Sequence, residues 1–159
     1  MTNNHVLLLS IRPRFVSSIF AGSKTVELRR VKPRLKCGDL VVVYASGTTK
    51  GLVGAFQVNG VTAKSPRALW RQFNGGSGLT KAEFDEYFAG VDTGYAIRIG
   101  RRWQLDEPVL LNSLRKRRAS FRPPQSYHYW KRDELAVIGG IAFANGILRE
   151  SRTGSEGHN

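Results

Sequence analysis

Lys24, Glu27 and Arg29 stand within six residues, in the run Gly22-Ser23-Lys24-Thr25-Val26-Glu27-Leu28-Arg29-Arg30. Two cations and a carboxylate on so short a piece of backbone must share a small volume. They form either a surface ion-pair lattice or the floor of a cleft that receives an anionic group. Strand phase bears on the choice. On an extended chain Val26 and Leu28 share one face, while Thr25, Glu27 and Arg29 share the other. Glu27 and Arg29 thus turn away from the apolar face, toward solvent or a cleft. Arg30 adds a further cation at the end of the run.

Two more groups could carry chemistry. Gln125-Ser126-Tyr127-His128-Tyr129-Trp130 follows the basic run Arg115-Lys116-Arg117-Arg118. Aromatic residues beside a basic run suit the stacking of bases and the gripping of phosphates. The same residues also suit a core cap beside a solvated loop. Arg12 and Arg14 flank Pro13 where a helix should begin, and Tyr44 and Ser46 offer a polar rim at the end of an apolar run. The sequence has no Gly-rich phosphate loop, no His/Cys cluster with metal-ligand spacing and no Ser/His/Asp arrangement. No cofactor is evident, although a divalent metal could assist if a phosphodiester were cut at such a site.

The formal net charge of +13 over 159 residues is concentrated. Residues 1–36 carry eight Lys/Arg against one acid, and residues 98–122 carry eight against two. The remainder carries nine of each sign. Two basic segments supply the whole excess, which is the footprint of a protein that meets a polyanion. No apolar run approaches the ~18–20 residues that span a bilayer. The lone Cys37 fits a reducing compartment, and a cytoplasmic monomer with no membrane partner is expected.

The elements that must position these residues follow from local pattern. His5–Ile11 reads as a strand. Pro13 opens a helix that carries Phe15, Val16, Ile19 and Phe20 at helical spacing and stops at Gly22. Thr25–Arg30 reads as a strand, and Asp39–Ser46 as a central strand buried on both sides. Gly51–Val61 gives another. Ser65-Pro66 and Thr80-Lys81-Ala82-Glu83 open two helices, on either side of the loop 74–78. Residues 93–105 read as a long strand or hairpin, and residues 133–149 have helix-like content. The expected organisation is one domain over residues 1–150, with a disordered polar tail at 151–159. Five or six mainly antiparallel strands with peripheral helices suggest an α+β fold built on a small β-barrel.

The run Gly22-x-Lys24-x-x-Glu27-x-Arg29 resembles the signature of the ASCH domain family, a branch of the PUA-like superfamily. Ser10-Ile11-Arg12-Pro13, Gly38-Asp39, Tyr44-Ala45-Ser46, Val53-Gly54, Pro66 with Leu69-Trp70, Gly94-Tyr95-Ala96-Ile97 and Pro123-Pro124-Gln125-Ser126-Tyr127 agree with it in order. The resemblance implies a cleft on which the Lys/Glu/Arg motif lies, and RNA or modified nucleosides as ligands. It gives Lys24 the place of the motif lysine, and Ser126 that of a serine implicated in RNA cleavage. Family members that hydrolyse the amide of N4-acetylcytidine carry a threonine three residues after the lysine, where this chain has Glu27.

Three functions follow. The first is an RNA-binding protein that cleaves single-stranded RNA, with Lys24 stabilising charge on a phosphoryl oxygen, Glu27 as base and Ser126 orienting the substrate. The second is an amidohydrolase acting on an acylated nucleoside. The third is a reader of modified nucleotides without chemistry. In each, Arg12, Arg14, Arg29, Arg30, Tyr44, Ser46, Arg115, Lys116, Arg117, Arg118, Gln125 and Tyr127 are the candidate binding residues.

Overall fold

The apolar run at the start of the chain is extended, as its composition demands, and forms β1 (His5–Ile11). Pro13 has its φ preset for a helix and lacks only an N–H that the first turn cannot use. It opens α1 (Pro13–Ala21), whose buried anchor is Ile19. Gly22, at φ +91°, ends the helix in the left-handed conformation, and its N–H donates to the Ile19 carbonyl at 3.1 Å. The chain then enters β2 (Val26–Arg29) with the expected phase: Val26 and Leu28 are buried, Glu27 and Arg29 half-buried. In the computed structural model, residues 5–131, 133 and 134 are described. The polar tail and nearly all of the stretch 133–149 lie outside them.

Next come β3 (Leu40–Ala45), buried at every position, and β4 (Gly51–Lys64). Ser65 caps α2 (Pro66–Phe73) by accepting from the Ala68 N–H at 3.3 Å. Thr80 and Glu83 form the expected capping box at α3 (Lys81–Tyr87). The segment read as a strand or hairpin is one long strand, β5 (Gly94–Leu110). Two elements add to the sequence reading. Arg115, Lys116 and Arg117 lie in a short helix, α4 (Leu111–Arg117), with Arg118 as its C-cap residue and Leu114 as its buried anchor. Tyr127–Lys131, to which the sequence assigns no element, is a strand, β6.

The strands are ordered β2-β5-β4-β3-β1-β6. β1 pairs with β3 in parallel, Leu8 opposite Val42 and Ser10 opposite Tyr44. Its other edge pairs antiparallel with β6, Val6 opposite Trp130. β2 pairs antiparallel with β5, Glu27 opposite Ile97. Six strands and four helices among the described residues make the α+β, PUA-like architecture that the sequence predicts.

Contacts divide the chain into two compact units. One takes the residues up to Pro13, Leu40–Phe56 and those from Arg102 onward; the other takes Arg14–Asp39 and Gln57–Arg101. The first packs Val6, Leu8, Val42, Tyr44, Leu52, Trp103, Leu114, Phe121 and Trp130 into its core. The second packs Val26, Leu28, Leu69, Phe84, Phe88 and Ala96. Each buried Val, Leu or Phe among them contributes about 1.5–3 kcal/mol over leaving it in water. Gly94 shows how closely the second core is filled, because a Cβ there would meet Leu69 and the Phe88 ring.

Candidate nucleic-acid interface

Lys24 follows the glycine that ends α1 and precedes β2 by two residues, so its backbone is fixed from both sides. Its N–H donates to the Ser18 carbonyl at 3.0 Å. Its side chain is buried, 3% exposed for the residue as a whole. A buried ammonium needs acceptors. Nζ donates to the Ser77 carbonyl at 2.6 Å and lies 3.4 Å from Oε2 of Glu27. It also sits 5.2 Å from the centre of the Phe15 ring, within cation–π range. Oε1 of Glu27 lies 3.7 Å from Nη1 of Arg29. The three motif residues thus share one volume, with one positive charge in excess.

That volume is a cleft of ≈140 Å³, lined by Phe15, Lys24, Glu27, Leu28, Arg29, Leu79 and Tyr87. Apolar walls around the charges lower the local dielectric, which strengthens the pull on an anion. The Tyr87 hydroxyl donates to the Leu28 carbonyl at 3.0 Å. Burial pushes its pKa upward; Arg29 opposes the rise and Glu27 adds to it. Phe15, Ser77, Leu79 and Tyr87 were not among the sequence-derived candidates. Ser77 acts through a backbone carbonyl, which has no signature in sequence. Tyr87 had one faint signal, a hydroxyl on the apolar face of a helix, where a partner is usual.

The other cations of the second unit are placed differently. Arg14 Nη2 lies 2.6 Å from Oε2 of Glu83 on the surface, and its guanidinium stacks 4.3 Å from the Phe15 ring centre. Arg30 is exposed and donates to the Ala89 carbonyl at 3.3 Å. Glu83 has its pKa lowered by the Thr80 backbone N–H first, then by Arg14.

The first unit places Tyr44, Ser46, Ser126 and Arg12 at the C-terminal end of β1. Tyr44 faces Ser10 across the parallel pair, and the Ser10 N–H donates to the Ser126 carbonyl at 3.1 Å. Ser46 donates to the Ile11 carbonyl through its N–H at 2.9 Å and its Oγ at 3.3 Å. Arg12 continues directly from this end and is exposed, as are Gln125, Ser126 and Tyr127. The Tyr44 side chain is in the core, tilted against Phe121 at 6.3 Å between ring centres. Its hydroxyl finds no hydrogen-bond partner among the described residues. Burial raises its pKa, and Arg115 opposes the rise. Arg115, Lys116 and Arg117 are exposed along α4, and Arg118 Nη1 lies 3.3 Å from Oε2 of Glu134. Trp130 belongs to the core, so of the sequence-read stacking group it is Tyr127 that stands most open.

Among the described residues no group of three His, Cys, Asp or Glu could hold a metal ion, and no helix is long and apolar enough to cross a membrane.

Known proteins extend the resemblance. An ASCH domain-containing ribonuclease from Zymomonas mobilis is 28% identical over 131 residues, 82% of this chain and 88% of that protein. The crystal structure of ASCH from Zymomonas mobilis matches with a TM-score of 0.79 at 25% identity, over 86% of this chain and 95% of that one. A large ribosomal subunit protein of Ureaplasma parvum is 26% identical over 91 residues, 57% of this chain and 28% of its own length. Residues 9–103 match the ASCH domain, and the chain therefore belongs to the ASCH domain family.

Proposed function

We propose that this protein binds single-stranded RNA and cleaves it, with the Lys24 cleft receiving a phosphate group. The observation that carries the reading is the buried Lys24 ammonium, held by Ser77 and Glu27 in a cleft that keeps one positive charge in excess. A volume of ≈140 Å³ suits a phosphate better than a whole nucleoside, since pockets for small molecules run to about 300 Å³ or more. The concentrated net charge supports a polyanionic partner. The relative named a ribonuclease and the relative named a ribosomal protein support RNA as that partner.

Cleavage would use the RNA's own 2′-hydroxyl. Glu27 accepts its proton, the 2′-oxygen bonds to phosphorus, and the bond from phosphorus to the 5′-oxygen breaks. The products are a 2′,3′-cyclic phosphate and a 5′-hydroxyl that takes its proton from solvent. Lys24 stabilises charge building on the phosphoryl oxygens, as preorganised cations do.

The test compares a single-stranded RNA with its 2′-deoxy counterpart, for the wild-type chain and Lys24→Met. Cleavage of the RNA alone, lost in Lys24→Met, is the expected result. Equal cleavage of both strands, or wild-type rates from Lys24→Met, would overturn the mechanism. Salt-sensitive binding without turnover would leave a reader of RNA in its place.

A further inference from the structure

The second unit holds a larger groove, of ≈640 Å³, between α2 and α3. It is unused by the mechanism above. Arg67 and Arg71 stand one helical turn apart on α2, and Trp70 and Asn74 form the adjacent row of the same helix. From α3 come Lys81 and Asp85, which pair with each other across one turn. The buried Phe84 ring forms the floor, 5.1 Å from Trp70 between ring centres. Lys81 Nζ lies 5.6 Å from the Trp70 ring centre, so the indole already meets one cation.

Trp70 differs from the other two tryptophans. Trp103 and Trp130 are buried in the first unit, whereas Trp70 is half-buried, packed on the second core and lining the groove. Lys81 neutralises Asp85, and neither Arg67 nor Arg71 pairs with a carboxylate among the described residues. An aromatic plane beside two arginines one turn apart is complementary to a stacked base whose neighbouring phosphates meet the arginines.

The geometry points to a second RNA-binding site in this groove: one nucleotide of a single strand, its base on Trp70 and its flanking phosphates on Arg67 and Arg71. This inference rests on RNA being the partner. The α2–α3 loop ties the groove to the cleft. It contributes Asn74 to the groove, the Ser77 carbonyl to Lys24, and Leu79 to the cleft wall. A strand lying over this loop engages both sites. The groove then supplies affinity, and the cleft supplies chemistry.

The probe is an oligouridylate of about 12 nucleotides, within the range one such surface spans. It is titrated against the full chain at several salt concentrations, with Arg67→Ala/Arg71→Ala, Trp70→Phe and Lys24→Met as variants. Far-ultraviolet circular dichroism confirms that each variant folds. The double arginine variant is expected to bind about tenfold more weakly. Its slope of log affinity on log salt should fall by about 1.4, from about 0.7 for each lost phosphate contact on a single strand. Unlabelled oligouridylate should quench tryptophan emission in the wild type, and Trp70→Phe should remove that quench. If the double variant keeps the wild-type affinity and slope while wild-type binding is intact, the groove inference falls and the RNA reading stands. If the wild type binds no oligouridylate, both fall. If polyglutamate quenches Trp70 as well as the oligonucleotide does, an acidic peptide is the occupant and the proposal is overturned.

Discussion

The Lys24 ammonium and the Ser77 carbonyl oxygen are 2.6 Å apart, across 53 positions of sequence. They do not meet alone. The Gly76 carbonyl accepts from the N–H groups of Thr25 at 2.8 Å and Val26 at 3.3 Å. The loop between α2 and α3 is thus fastened to the chain entering β2 by two neighbouring carbonyls. The lysine that carries the proposed chemistry is one of the fasteners, so its position and the loop's conformation are set together.

Lys24→Met keeps most of the aliphatic stem and removes the charge. It leaves the Ser77 carbonyl without this donor, and Glu27 with Arg29 as its remaining cation in the cleft. Urea denaturation should show a loss of about 1–3 kcal/mol, the cost of a buried acceptor left unsatisfied. Wild-type stability in this variant would mean that the bond contributes nothing net.

Gly76→Ala tests the same junction from the loop side. A Cβ at Gly76 would overlap Thr25 Oγ1, so the loop must lift or the threonine must rotate. A loss of about 1–3 kcal/mol is expected, as for other forced overpacking. Combining it with Thr25→Ala removes the overlapping oxygen and should recover part of the loss. The coupling is read from the double-mutant cycle, and strict additivity would show that the two residues do not clash.

The capping box at α3 predicts an acid-sensitive end to that helix. The Thr80 N–H and Arg14 both hold Glu83 below its ordinary value of 4.5. A depressed carboxylate supports the folded state above its unfolded pKa, and that support is lost as pH falls through its folded value. The Glu83 carboxyl resonance should therefore titrate below 4.5. Thr80→Ala keeps that N–H and removes the side-chain hydroxyl, a lesser cause of the lowering, so it should move the midpoint upward only slightly while the lost cap costs about 1 kcal/mol of stability at neutral pH.

Alkaline titration probes the two buried phenols. Burial raises the pKa of Tyr44 and of Tyr87 above 10.0. Each holds its proton more tightly folded than unfolded, so its contribution is full below pH 10 and is lost as pH rises through the raised value. Phenolate absorbance should include a late component, and Tyr44→Phe and Tyr87→Phe should each diminish it. Tyr44→Phe also removes a buried hydroxyl that finds no partner among the described residues, so it should match or exceed wild-type stability.

Much of this was legible because it is written locally. Pro13 and Gly22 bound α1, Ser65 and Thr80 cap their helices, and the alternation of Val26 and Leu28 with Glu27 and Arg29 gives the strand face. What was not legible depends on distant partners. Leu111–Arg117 has one buried anchor and no capping side chain, so its pattern is mostly charge. Tyr127–Lys131 becomes a strand because β1 offers it an edge, and pairing across that distance leaves no local mark. Ser77 holds Lys24 through backbone, where any residue would serve. The polar-rim reading of Tyr44 fails because its ring packs in the core and its hydroxyl is buried with it.

The pairing of β1 with both β3 and β6 also constrains the order of assembly. The second unit is complete once residue 101 has left the ribosome. The first unit receives β1 before β3, and the antiparallel partner of β1 only with Tyr127–Lys131. Until then Val6-Leu7-Leu8-Leu9 presents an apolar strand with one edge unpaired, the configuration that recruits strands from other chains. A chain ended before Tyr127 would keep every motif residue from Gly22 to Arg30 and still be expected in the insoluble fraction.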